Sequence, residues 1–252
     1  MTPNRSSNAV TQVAEGIYLL ERAHVNCYLI VSDDAIVLVD GGLPRTWPLL
    51  TAALASIGAT PADIDAVLLT HAHFDHVGMC DRLFHEHHVF SRVHEGDVAL
   101  AKHPYRYAHE RARLSYPLRH PASIPVLAGM AAAGALGVKG IDARGDVVPG
   151  EKLPGGLVAV FSPGHTYGHC GFYLESKGVL FGGDALVTLD PYTGRGGPQI
   201  VAGAATANSP AALAGLDAYV ETGARLLLPG HGDPYEGGLR AAVDAALATG
   251  AH

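Results

Sequence analysis

One hexapeptide constrains this chain more than any other feature. His71-Ala72-His73-Phe74-Asp75-His76 comes directly after residues 66–70 (AVLLT), an apolar run that reads as a short buried strand. His71 and His73 are two apart, so in an extended segment their side chains face the same way. Asp75 and His76 fall where the chain turns toward the next helix, and they can face a second position. One short loop can thus supply ligands for two adjacent metal ions. Histidine accounts for 15 of the 252 residues. At that frequency H-x-H-x-D-H arises by accident in roughly 0.003 of such chains, which makes a decorative His-rich loop the weaker reading.

Three distant segments repeat one local pattern. Residues 162–165 (SPGH), 181–184 (FGGD) and 228–231 (LPGH) each place one group just past a β-prone run: His165, Asp184 and His231. The glycine before each allows close backbone approach. Taken singly, each reads as a turn. Together with the hexapeptide they amount to five His and two Asp, which a layered sheet gathering its strand ends would hold rigidly.

The remaining punctuation supplies such a sheet. Residues 17–20, 27–31, 36–39 and 89–93 read as strands, as do 157–161, 171–175, 179–181 and 225–228. Residues 47–57, 81–88 and 239–248 read as helices. Ser209-Pro210 reads as an N-cap followed by proline at the first helical position of a helix running to Glu221. Strands before and after helices in both halves indicate an α/β layered fold. Residues 1–14 are expected to be a flexible terminus and 15–252 one domain. Residues 95–140 read as a helical insertion or lid, broken at Pro104, Pro117, Pro121 and Pro125.

With these residues in place, the chain resembles the metallo-β-lactamase-fold hydrolase superfamily over roughly residues 15–240, most weakly over 95–140. The resemblance implies a four-layer αββα sandwich of two related halves, with a site at one edge between the sheets. It implies that His71, His73 and His165 hold a first metal and that Asp75, His76 and His231 hold a second. Asp184 bridges both, and Asp40, in VLVDGG, supports the ligand loop without binding metal. Imidazole and carboxylate donors suit two divalent ions, zinc first, iron or manganese next. Such a pair lowers the pKa of a water and polarises a carbonyl oxygen, and Asp75 would orient that water or accept its proton. The implied reaction is hydrolysis of an ester-type bond: lactone, thioester or carboxylic ester. A persulfide dioxygenase-like iron enzyme and a non-catalytic metal-binding module are the alternatives. A glyoxalase II-like thioesterase is disfavoured because only about twenty residues follow His231. A homoserine-lactonase-like subtype is weakened because Ala185, Leu186 and Val187 follow Asp184 where a tyrosine is usual.

Composition trims the partners. Lys+Arg 17 against Asp+Glu 24 leaves a net charge of −7, the wrong sign for non-specific nucleic-acid binding. The first twelve residues are polar, and the longest uncharged apolar stretch, 124–138, is too short for a membrane span. A soluble cytoplasmic protein acting on a small molecule is expected, with that apolar stretch as core or homodimer contact. Cys27, Cys80 and Cys170 read as buried hydrophobes, and His85, His87 and His88 as a surface cluster. His169 reads as a hydrogen-bonding neighbour of the ligands. Tyr167 reads as packing or as a ring touching the cleft. Arg106, Glu110 and Arg113 have the spacing of a solvated helix.

Overall fold

The computed structural model describes residues 8–252. Short, nearly continuous apolar runs build the first sheet. Its strands are β1 (Asn8–Ala14), β2 (Ile17–Arg22), β3 (Val25–Val31), β4 (Ile36–Val39), β5 (Ala66–Leu68) and β6 (Ser91–Arg92), in that spatial order. β1 to β4 are antiparallel neighbours, while β5 and β6 join in parallel. Parallel neighbours need a crossover, and α1 (Trp47–Ser56) and α2 (Cys80–His87) lie in those two connections. The second sheet contains β7 (Val158–Phe161), β8 (Cys170–Leu174), β9 (Val179–Gly183) and β12 (Leu226–Pro229). Its order is β12-β9-β8-β7. Between β9 and β12 a small hairpin forms from β10 (Val187–Leu189) and β11 (Gly196–Gln199).

Side-chain alternation decides the layers. In β3, Tyr28 and Ile30 point to the second sheet, meeting Phe172 and Phe181 in one buried cluster. Cys27 and Leu29 point the other way, toward Leu50 and Leu54 of α1 and Leu83 of α2. In β9, Phe181 faces the first sheet while Leu180 packs on the outer helices α6 (Ser209–Gly215), α7 (Asp217–Glu221) and α8 (Leu239–Thr249) through Ala212, Leu216, Tyr219 and Val243. Helix, sheet, sheet and helix thus stack in the expected αββα order, with central strands such as β3 and β9 buried on both faces.

Several local expectations need correction. Residues 1–7 of the expected tail lie outside the described residues, but Asn8–Ala14 is an edge strand paired with β2 from Asn8↔Arg22 to Ala14↔Ile17. Residues 95–140 carry α3 (Val98–Lys102), α4 (Ser115–Arg119) and α5 (Ser123–Ala132). Pro117 and Pro125 do not break them; each is the third residue of its helix, where the amide N–H has no intrahelical acceptor to lose. The solvated helix expected through Arg106, Glu110 and Arg113 is absent. That stretch is a loop, and Glu110 is committed elsewhere: its carboxylate accepts from the Ser209 amide at 2.7 Å and the Ser209 hydroxyl at 2.6 Å. The cap of α6 is accordingly Asn208, whose side chain accepts from the Ala211 amide, and the helix expected to reach Glu221 is divided into α6 and α7 at Leu216. Among the described residues no helix is long and apolar enough to cross a membrane.

Candidate metal centre

The seven groups named from the sequence converge where β5, β9 and β12 end. β5 delivers His71, His73, Asp75 and His76 from the loop after it, β9 delivers Asp184, and β12 delivers His231. His165 arrives from the loop after β7. Ligand atoms of His71, His73 and His165 lie within 4.8 Å of one another, as do those of His71, His76 and Asp184, and those of Asp75, His76 and His231. Asp184 Oδ2 is 3.1 Å from His231 Nε2 and 3.6 Å from His165 Nε2, and Asp184 Oδ1 is 3.4 Å from His76 Nε2. One carboxylate therefore touches both trios, the arrangement expected of a bridge.

The backbone makes this approach possible. A Cβ at Gly230 would collide with the Asp184 carboxylate and come within 2.9 Å of His76. Gly183 has φ +51°, and a Cβ there would press within 2.6 Å of the Thr70 hydroxyl and 2.7 Å of His169. Both glycines sit one residue before a ligand, and only their missing side chains let strand ends from two sheets meet.

A shell of buried hydrogen bonds fixes the rings. Asp40, at φ 61°, accepts from the Thr70 amide and hydroxyl, both at 2.8 Å, and meets His76 Nδ1 at 3.0 Å. His231 Nδ1 lies 2.9 Å from the His24 carbonyl. His169 Nε2 accepts from the amides of Asp184 and Ala185 at 3.1 and 3.2 Å. It stands outside all three ligand groups, in the supporting position expected of it. Three further residues were not read from the sequence. Asp97 accepts from Ala72, Thr166 and Gly168 and so ties the two histidine loops together. Asn26 and Tyr28 donate to the Pro229 carbonyl and hold the His231 turn against β3. Tyr28 lies in a run read only as a strand, and nothing near Asn26 or Asp97 in the chain signals a partner so far away.

The electrostatics match a cation site. Burial holds His71 and His73 well below the usual histidine value and brings His165 to about 4, so all three are neutral donors near pH 7. Burial also opposes charge on His76 and His231, but Asp184 and its neighbouring carboxylates win: His76 is raised well above its ordinary value and His231 to about 10. Asp184 is held well down, because His231 and His76 outweigh its own burial. Nε2 of His71, His73 and His76 and Oδ1 of Asp184 are fully buried with no hydrogen-bond partner among the described residues. Leaving buried polar atoms unpaired is costly, and divalent cations would satisfy these four together. The donor set and the orphaned atoms fit two such ions.

The site is covered by the segment expected to be an insertion. Tyr107 lies against His73 with ring centroids 4.1 Å apart and the rings tilted by 40°, and its hydroxyl is 2.9 Å from that of Tyr192. Met130 of α5 and Phe74 complete the cover. The free volume left among these groups is ≈ 10 Å³, about the space of one water. Tyr107 and Tyr192 were missed in the sequence, where their loops lack any motif. Tyr167, by contrast, is 63 % exposed and borders an outer cavity. His85, His87 and His88 join none of the ligand groups, and the three cysteines are free and buried.

The family model of the metallo-beta-lactamase superfamily matches residues 20–231. This chain belongs to that superfamily. Among curated relatives, it is 28% identical over 164 residues to the uncharacterized protein YobT of Bacillus subtilis, covering 64% of this chain and 62% of that one. It is 25% identical over 195 residues to the probable metallo-hydrolase YflN of the same organism, covering 73% and 69%. An N-acyl homoserine lactonase of Bacillus thuringiensis is 23% identical over 187 residues, covering 65% and 62%. The matches to YobT and to the lactonase span less than two thirds of those proteins. Among solved structures, the metallo-beta-lactamase family protein TTHA1429 of Thermus thermophilus superposes with a TM-score of 0.65 at 26% identity, covering 93% of this chain and 79% of that one. TTHA1623, solved in a di-iron-bound form, superposes with a TM-score of 0.61 at 26% identity, covering 88% and 95%.

Proposed function

We propose that this chain is a metal-dependent hydrolase that uses two divalent cations, zinc first, to cleave an ester-type bond: a lactone, thioester or carboxylic ester. The carrying observation is the pair of ligand trios joined by Asp184, with four buried donor atoms that lack partners. In this reading His71, His73 and His165 would hold one ion, Asp75, His76 and His231 the other, and Asp184 would serve both. Bound divalent cations supply Lewis acidity toward a carbonyl oxygen and make a water acidic enough to attack near neutral pH. Asp75 would orient that water and accept its proton. Tyr107 and Tyr192 remain protonated, since burial raises both phenols. Only one hydroxyl of the pair can donate to the other, so one O–H is left to steady a substrate oxygen. Met130, Phe74 and the two tyrosines exclude bulk water. The names of the metallo-hydrolase and lactonase relatives support hydrolysis at the level of bond class.

The di-iron form of TTHA1623 keeps iron in view as a metal, and with it oxygen chemistry as the competing reading. The deciding experiment reconstitutes metal-free protein with zinc and assays an aryl ester and a lactone anaerobically. Iron-loaded protein is then given glutathione persulfide while oxygen is followed. Zinc-supported cleavage without oxygen is expected. Activity in the iron form alone, with stoichiometric oxygen uptake, would overturn the hydrolase reading.

A further inference from the structure

The ≈ 10 Å³ left among the ligands has no room for the body of a substrate. A second cavity of ≈ 370 Å³ adjoins it, at the small end of the range for ligand sites. The two share Tyr107, and the second also has His165 of the first trio in its lining. A molecule held there lies beside the metal centre, against His165 and Tyr107. Ala99 and Leu100 of α3, Ala207 and the ring of Tyr167 form apolar walls.

The polar groups of this cavity are unevenly committed. Asp97 is buried, with its two oxygens taken by Ala72, Thr166 and Gly168. Nearby cations are also occupied: Lys102 pairs with Asp142 at 3.0 Å, and Arg113 donates to the Tyr107 carbonyl and lies over its ring at 3.8 Å. His103 and Arg106 differ. Both line the cavity from its exposed side, and no ion pair or side-chain hydrogen bond engages either one among the described residues. An unpaired guanidinium beside an apolar cavity is a carboxylate receptor, because its planar fork matches two oxygens.

We propose that this cavity is the subsite for the non-reacting body of the substrate, and that it takes an apolar acyl or aryl group ending in a carboxylate bound by Arg106, with His103 beside it. The identity of the reacting end rests on the hydrolase reading; the subsite itself does not.

Binding is tested without turnover. The zinc-loaded chain is titrated calorimetrically with 4-phenylbutyrate and with 4-phenylbutanol, its neutral counterpart. The carboxylate should bind about tenfold more tightly, as a charge-assisted contact at a partly exposed site allows. R106E and the milder R106Q should each abolish that preference at unchanged melting temperature, and A99W, which fills the cavity, should weaken both probes. A carboxylate preference that survives in both Arg106 variants would locate the anion on the metals and overturn the proposal. Equal affinity for the two probes, or binding of neither, would overturn it as well. In turnover, the ratio of kcat/KM for mono-4-nitrophenyl adipate over 4-nitrophenyl hexanoate should fall about tenfold in R106E. Failure to cleave any ester, with Arg106-dependent binding intact, would sink the hydrolase reading and leave the subsite standing.

Discussion

Asp40 illustrates how much a residue that ligates nothing can matter. Its carboxylate orders the start of the ligand loop through Thr70 and aims His76 through Nδ1. Such supporting partners typically contribute 10- to 100-fold in metal affinity, so Asp40→Asn should weaken the His76 site by about that factor and spare the first trio. Chelator competition, following the release of each zinc in turn, checks this. Cysteine chemistry lies at the opposite extreme. Burial pushes the thiols of Cys80 and Cys170 up to about 12 and that of Cys27 well above its ordinary value. Thiolate is the reactive form, so iodoacetamide should leave all three unlabelled in the native chain and label them after denaturation. Labelling of a native thiol at pH 8 would contradict their burial. What was legible at this scale was local. His165, Asp184 and His231 each follow a glycine at a strand end, and Asp40 closes a strand with a turn. Asp97, Asn26, Tyr107 and Tyr192 were not legible because their partners are supplied by the folded chain: Gly168 for Asp97, Pro229 for Asn26, and Tyr107 and Tyr192 for each other.

At the scale of elements, charge spacing misled where proline and capping chemistry competed. Arg106, Glu110 and Arg113 have helical spacing, yet the loop from 103 to 114 is held by contacts to other segments. Glu110 and Arg111 amides donate to the Gly203 carbonyl, and the Glu110 carboxylate receives Ser209 at the start of α6. The loop that carries Arg106 and Tyr107 is thereby anchored to the helix layer of the second sheet. Glu110→Ala should remove both bonds and lower stability by about 1 kcal/mol, since hydrogen bonds to charged groups are reduced by exposure. Thermal unfolding measures the loss. Glu110→Gln, which keeps one acceptor, should retain part of it. A melting temperature unaltered in both variants would mean that the anchor contributes nothing. The strands fared better in sequence, because two-sided burial writes nearly continuous apolar runs such as 27–31 and 36–39. The hairpin of β10 and β11 has no such run, and it escaped notice.

Over the whole molecule, residues far apart in sequence lock the site's surroundings together. His252 meets Asp190 at 3.1 Å, and its carbonyl accepts from the Tyr116 hydroxyl and the Gly203 amide. The hydrogen bond to Asp190 raises the His252 pKa above its ordinary value. The folded state therefore binds that proton more tightly. The resulting stabilisation is complete below about pH 6.5, the ordinary histidine value, and fades as pH rises through the raised one. The melting-temperature difference between wild type and His252→Gln should accordingly be larger at pH 6 and shrink as pH rises. A difference that grows with pH would refute the linkage. The layered architecture was legible because strands come before and after helices in both halves of the chain. The insertion over 95–140 was legible as a segment, but the residues it sets over the site were not, because α5 and the 103–114 loop acquire their positions only by packing on the finished sandwich. Asp184 is placed to join two metal sites in one chain. Native mass spectrometry of zinc-loaded protein tests it directly: wild type should carry two zinc ions per chain and Asp184→Ala one or none, whereas one zinc in wild type, or two retained by Asp184→Ala, would contradict it.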